Sequence, residues 1–296
     1  MPDFDPDASS PSTAWLKRAF TGADSTNARK TVTFGDAAAV RSLPLWSFLS
    51  FVLLMAIWYV VKIGGDDGIL NDRTFASQKD TWDAFLLLAS EGYRNITLWE
   101  HTSASLSRVG QGMLWGTVLG VPIGLAMGLS SKLRGFFDAP VELFRPIPPL
   151  ALLPLFILWF GLGDKSARNL LIFASIWIMI IAARAGVRTV NLSKIRAAYS
   201  LGASKPQILW RVILPNALPE IFTGFRVAVG VSWGTLVAAE LLGTSTGLGS
   251  MIFQARNFFR IDVIIVGVII IALLGVLMDI GVRFLEAKLI PWRGKG

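Results

Sequence analysis

Six runs of about twenty mostly apolar residues, near 43–63, 108–129, 140–161, 167–187, 225–243 and 262–284, constrain this chain more than any other feature. A helix rises about 1.5 Å per residue, so about 20 residues cross the hydrocarbon layer of a bilayer. Inside that layer backbone groups find no water, and a helix is the element that pairs all of them within one segment. The expected fold class is therefore all-α, a polytopic membrane protein with six transmembrane helices. Composition supports this, because 53% of the 296 residues are hydrophobic and only 16% are charged, far from the balance of a soluble domain. The third run differs from the others. Pro146, Pro148, Pro149 and Pro154 interrupt its hydrogen-bond ladder. Irregular backbone at membrane depth is tolerated where protein or a watery cavity surrounds it, so this segment is expected to face the protein interior.

Charge fixes an expected orientation. The stretch from Gly64 to Ser107 carries seven acids (Asp66, Asp67, Asp72, Asp80, Asp83, Glu91, Glu100) and three bases (Arg73, Lys79, Arg94). From Arg184 to Arg226 there are seven bases and the single acid Glu220. Lys132 with Arg134, and Arg283, Lys288, Arg293 and Lys295, mark two further basic regions. Basic loops stay on the cytoplasmic side, so these asymmetries predict cytoplasmic N- and C-termini and a cytoplasmic loop at 190–220. The same distribution accounts for the net charge of +8 without a nucleic-acid partner. Four regions follow: a disordered cytoplasmic extension over 1–42 with a short helix near Trp15–Phe20; a first span and outer helical loop over 43–107; a core over 108–290; and a tail over 291–296. No apolar run lies near Met1, which excludes a secretory signal peptide as the reading of that extension. In the outer loop, Ser77 and Asp80 form a capping box ahead of Trp82, Phe85, Leu86 and Leu88, predicting a surface helix. A further helix is expected from Leu98 to Arg108, leading into the second span.

The 190–220 loop has its own pattern, Arg196-Ala197-Ala198-Tyr-Ser-Leu-Gly202-Ala203-Ser204-Lys205-Pro206-Gln207 followed by an aliphatic run to Leu214-Pro215. Gly202 supplies a turn, since glycine reaches positive φ without steric cost. Ser204 with Gln207 reads as a capping box, with Pro206 in the first turn. Ile208, Leu209, Val212 and Ile213 share a face, and Pro215 with Pro219 is expected to close the helix. A short helix held by apolar residues, with a small-residue turn exposed, suits docking into a groove on a soluble partner.

Gly112, Gly116, Gly120, Gly124 and Gly128 recur every four residues on one face of the second span, which permits close helix packing. Charges inside the membrane are costly and mark candidate sites. Glu142 and Arg145 lie three apart and are expected either to pair or to line the translocation pathway; Glu240 and Trp233 are further pathway candidates, with structural pairing or packing as the alternative. Asp279 reads as structural. His101 is the single histidine and has no second ligand at useful spacing, so no metal site is expected. Without cysteine, structural disulfides and thiol chemistry are excluded. No P-loop pattern occurs, so this chain has no such means of hydrolysing ATP.

Ala197-Ala198, Gly202, Val212, Leu214 and Pro215 stand at spacings that resemble the EAA loop of ABC-importer permeases. Arg196 stands where that motif carries glutamate, so no salt bridge is inferred from the position. The resemblance runs over about 70–293 and includes residues 98–106, 141–150, Trp159–Gly163, Thr235–Glu240, Gly247–Gly249 and Pro291-Trp292. These segments look like permeases of the taurine, alkanesulfonate and nitrate group, with the taurine branch most similar. The resemblance implies a type I ABC-importer permease fold in the bacterial inner membrane, surrounded by lipid. It also implies two ABC ATPase subunits, a second copy of the permease and a periplasmic substrate-binding protein as partners. ATP and Mg would be bound by the ATPase, leaving no cofactor in this chain. The implied cargo is a small anion, taurine or a related sulfonate, with nitrate or bicarbonate as alternatives. An ion-coupled secondary transporter would instead predict an inverted repeat, and a membrane enzyme would need polar catalytic groups clustered within the spans. Neither pattern is present in the sequence.

Overall fold

The computed structural model describes residues 43–63 and 75–292. The expectations for 1–42, including the helix near Trp15–Phe20, and for 293–296 lie outside the described residues. The described chain is helical, with one isolated bridge between Tyr93 and Ile96. In order, the helices are α1 (Leu43–Ile63), α2 (Gln78–Ser90), α3 (Leu98–Leu129), α4 (Ser131–Phe144), a 3-10 turn (Pro149–Leu152) running into α5 (Leu153–Phe160), and α6 (Asp164–Arg188). They continue with α7 (Leu192–Ser200), α8 (Lys205–Ile208), a π-helical turn (Leu209–Ile213), α9 (Leu214–Gly243), α10 (Leu248–Asn257) and α11 (Ile261–Leu289).

Local chemistry sets the starts of α2 and α3. The Ser77 hydroxyl accepts from the Asp80 N–H at 3.1 Å, and the capping box read from the sequence is closed. Thr97 does the same for α3, donating its N–H to Glu100 Oε2 at 2.8 Å. Consequently Leu98–Arg108 is not a separate helix; it forms the first turns of a 32-residue helix that runs through the predicted second span.

The glycine stripe then decides how α3 packs. A Cβ at Gly112 would lie 2.6 Å from Leu171 Cβ, one at Gly120 2.8 Å from Ile176 O and Met179 Cβ, and one at Gly128 2.6 Å from Val187 Cβ. Real side chains at these positions would push α6 away. Each four-residue step along α3 meets a four-residue step along α6, so the two helices run parallel in constant register. This is the most extensive helix contact in the molecule, followed by α6 against α9. The stripe is internal packing of α3 on α6. Gly186 meets Ala217 and Gly224 meets Ala182, which makes α9 antiparallel to α6. Trp233 beside Gly275, and Arg226 bonded to Asp279, make α11 antiparallel to α9. The main core (Val109, Leu171, Met179, Ala228, Leu236, Val282) fills the space among α3, α6, α9 and α11.

Parallel neighbours require a return path between them. Residues 131–160 provide it, and the span expected at 140–161 is broken there, as its prolines led us to expect. Helix α4 and the 3-10/α5 segment meet at an 85° bend. The cause is the Pro146, Pro148, Pro149 run, which removes donors and forces extended backbone, as at Pro148 with ψ 124°. Among the described residues, four helices (α3, α6, the segment Lys205–Leu241 and α11) are by length and composition able to cross a membrane, and a fifth span forms if the bent pair counts as one. The fifth predicted span also starts earlier than 225. Pro215 and Pro219 do not end a helix; the π-helical turn absorbs the lost donor, and the chain passes through both prolines into α9.

Candidate coupling loop and buried charge site

At one end of the bundle, Leu192 to Ile213 form a compact hairpin. Asn191 caps α7 by accepting the Ser193 N–H at 2.9 Å. Gly202 ends it with φ +79°, and the bonds from Ala203 N–H to Ala198 O (3.0 Å) and from Gly202 N–H to Tyr199 O (2.9 Å) make the expected glycine stop. Ser204 donates its N–H to Gln207 Oε1 at 2.8 Å, starting α8. Val190, Ile208 and Ile213 are buried, with Ala198, Ala203, Leu209 and Val212 packed around them. The predicted apolar face thus survives the π-helical turn. Outside this small core, Arg196, Ala197, Ser204 and Lys205 are exposed, and Leu201 is 87% exposed. No atom lies within 4 Å of where a Gly202 Cβ would stand.

Two contacts tie this hairpin to the spans. Lys194 Nζ donates to Asn216 Oδ1 at 2.9 Å. Trp292 Nε1 donates to the Pro215 carbonyl at 3.2 Å. In a regular helix that carbonyl would accept from residue 219, but Pro219 has no N–H. Trp292 supplies the missing donor.

The opposite end of the bundle holds a different kind of site. Arg108, ten residues into α3, uses all five of its N–H donors. Nε and Nη2 bond Asp164 Oδ1 at 2.8 and 2.5 Å. Nη1 bonds Glu240 Oε1 at 2.6 Å and Thr246 O at 2.8 Å, and Nη2 also bonds Thr246 Oγ1 at 3.0 Å. Glu240, fully buried, further accepts from the Ser105 hydroxyl (2.8 and 3.0 Å) and from the Gly249 N–H at 2.8 Å. An unpaired carboxylate there would cost several kcal/mol, about what such a satisfied network offsets. Gly247, at φ +124°, lets the loop close over the pair, since a Cβ would stand 2.5 Å from Glu240 Cδ. His101 is buried beside it, its Nδ1 2.9 Å from Gly247 O.

The remaining expectations sort as follows. Glu142 and Arg145 form no ion pair, and both are exposed. Arg145 is still helical at the end of α4 (φ −54°, ψ −47°), so their helical spacing is kept and yet no ion pair forms. Trp233 is 7% exposed and packs in the main core. Glu240 is held in the Arg108 network. Arg145 borders a groove of about 490 Å³ where the α4–α5 bend, α6 and α9 meet; Phe144, Trp177, Glu220, Thr223 and Val227 also line it. Asp279 is structural as expected, bonded to Arg226 and Arg283 at 2.9 and 2.8 Å. Among the described residues no cluster of His, Cys, Asp or Glu is suited to a metal. Arg108 escaped the sequence reading because the second span was begun at that residue; extending the helix back to Leu98 would have exposed it as an intramembrane charge.

Segments that resemble ABC permeases thus meet at joints: residues 98–106, Thr235–Glu240 and Gly247–Gly249 around the charge network, 145–149 at the bend, and Pro291-Trp292 beside Pro215. Residues 116–291 match the family described as binding-protein-dependent transport system inner membrane component. The chain belongs to this family. The permease is 42% identical over 248 residues to the taurine transport system permease protein TauC of Escherichia coli (strain K12), covering 83% of this chain and 89% of that one. It is 35% identical over 265 residues to the putative aliphatic sulfonates transport permease protein SsuC of Bacillus subtilis (strain 168), covering 87% and 94%. Against the nitrate import permease protein NrtB of Leptolyngbya laminosa, identity is 29% over 253 residues, covering 85% and 88%. The fold is similar to that of the MetNI methionine ABC transporter in inward-facing conformations, with a TM-score of 0.59, 20% identity and coverage of 65% and 95%. This permease is therefore a membrane transport component of an ABC importer, not an enzyme, and its family implies ATPase and substrate-binding-protein partners.

Proposed function

We propose that this permease imports taurine or a related sulfonate across the bacterial inner membrane. It does so as one of two permease copies, with two ATPase subunits that bind ATP and Mg and a periplasmic protein that delivers the anion. In this reading six spans leave both termini cytoplasmic, which puts the 190–213 hairpin on the ATPase side and the Arg108–Glu240 network near the outer surface. The observation that carries the substrate is the 42% identity over 248 residues to a taurine permease. The shape of the hairpin supports its role as the coupling element. Leu201 and its neighbours project from a small core and are exposed among the described residues, a surface that an ATPase groove would complete. The apolar core and the Trp292 contact would transmit motion of the hairpin to α9.

Labelled taurine uptake into cells with and without this gene tests the substrate, with unlabelled alkanesulfonate and nitrate as competitors. Gene-dependent uptake that resists nitrate is the expected result. Taurine uptake independent of the gene, where no other route operates, would move the substrate to another anion.

A further inference from the structure

The groove at the α4–α5 bend holds two charges that the fold leaves unused. Among the described residues neither Arg145 nor Glu220 has an ion-pair or side-chain hydrogen-bond partner, whereas Arg108 is matched with Asp164 and Glu240, Arg184 with Asp138, and Arg226 and Arg283 with Asp279. A charge at membrane depth is costly, and the usual remedy is a partner or a functional counter-ion. Here the two opposite charges share one groove and do not meet.

Their order along the groove follows from the packing. Phe144 stacks on Trp177 (5.1 Å, 16°) and meets Phe173 edge-on, so Arg145 enters the groove at mid-length of α6. Glu220 lies between Ala217, which meets Gly186, and Gly224, which meets Ala182, so it stands nearer the hairpin end. The levels of about residues 175 and 185 on α6 differ by about 15 Å of helix rise. The long Arg145 side chain, the Glu220 side chain and a short two-carbon molecule together span that gap. Between them the wall is apolar, formed by Phe144, Trp177 and Val227.

Resting on the taurine reading, we infer that Arg145 and Glu220 are the permease's own recognition pair for a zwitterion, with Arg145 receiving the sulfonate and Glu220 the ammonium. A guanidinium fork offers parallel N–H donors to an oxyanion. A carboxylate is the complementary acceptor for an ammonium group. The apolar wall suits the two methylenes between them. An alkanesulfonate of equal length satisfies Arg145 but brings a methyl group to Glu220, desolvating the carboxylate without a bond; sites built to bond a polar group discriminate strongly against such analogues. Glu220 is thus a specificity residue, and Arg145 a binding residue for sulfonates in general.

Cells whose own gene is replaced by wild type, Arg145→Gln or Glu220→Gln are assayed for initial uptake of labelled taurine and labelled ethanesulfonate at saturating concentration. The binding protein is the same in every arm and cancels from the ratio. Neither side chain has an ion-pair or hydrogen-bond partner among the described residues, so normal membrane level and ATPase co-purification are expected for both variants. Arg145→Gln should lower uptake of both substrates by about tenfold, the effect of one lost charge-assisted bond. Glu220→Gln should raise the ethanesulfonate-to-taurine ratio by about tenfold. An unchanged ratio in Glu220→Gln, or unchanged uptake in Arg145→Gln, with wild type importing taurine, overturns the recognition pair and leaves the groove as a packing surface. A wild-type chain that imports nitrate and no taurine overturns the taurine reading itself, and the pair with it.

Discussion

The two ends of the bundle solve opposite problems. The Arg108 network is closed on itself, because every donor of the guanidinium and both oxygens of Glu240 are bonded within the chain. The 190–213 hairpin is open, with a small apolar core below and exposed Leu201, Tyr199 and Trp210 above. A region whose interactions are complete sets the relation among α3, α6 and α9. A region whose interactions are incomplete is finished by another molecule. Substitutions should therefore read out as stability at the first end and as assembly at the second.

The largest effect is expected for Glu240→Ala. It leaves Arg108 buried beside an empty acceptor and should cost about 3–5 kcal/mol, read as a lower thermal midpoint of the purified permease. Replacing both Arg108 and Glu240 by Leu should cost less than either single change, because no buried charge is left unpaired and Asp164 is exposed; a double variant as unstable as the sum of the singles would show that the network is not a coupled unit. Gly247→Ala comes next, at about 2 kcal/mol, since its Cβ would meet Glu240 and its φ is positive. Gly202→Val tests the open end. Local strain should be about 1–2 kcal/mol, with the spans intact, yet ATPase co-purification and uptake should be lost. Gly202→Asn, which tolerates positive φ, should keep both, and a Val variant that retains normal coupling would contradict the role given to the hairpin. Trp292→Phe should be the mildest, about 1 kcal/mol for the missing bond to the Pro215 carbonyl, measured by the same thermal midpoint.

The hairpin was legible in the sequence because its signals are local. Gly202, Ser204 and Gln207 each specify the backbone within four residues, and the structure repeats them bond for bond. The glycine stripe was legible as a face but not as a partner, because spacing alone does not say which helix approaches. The charge network was half visible. Glu240 stood out as an acid within an apolar run, whereas Arg108 depends on a helix start set by Thr97 and Glu100, ten residues before it. Pro215 misled for a related reason. A proline is read as a stop, but a π-helical turn before it and Trp292 from the far end of the chain let the helix continue. Pairing over 77 residues leaves no local trace.

Regularity along α3 carries a hidden ambiguity. Five glycines at a constant interval look the same after a shift of one interval, much as identical zipper teeth can close one notch out of place. Sliding α6 by four residues would still offer small-residue clefts to most of its contacts. Three irregular links remove the degeneracy: Arg108 to Asp164, Gln111 from Arg168 at 3.2 Å, and the Ser175 hydroxyl to the Gly112 carbonyl at 2.9 Å. All three sit at the same end of the interface, within about one turn of α3 and about three turns of α6. The helices are therefore keyed at one end and free-running along the rest, so an error in alignment during membrane assembly would be recognised there first.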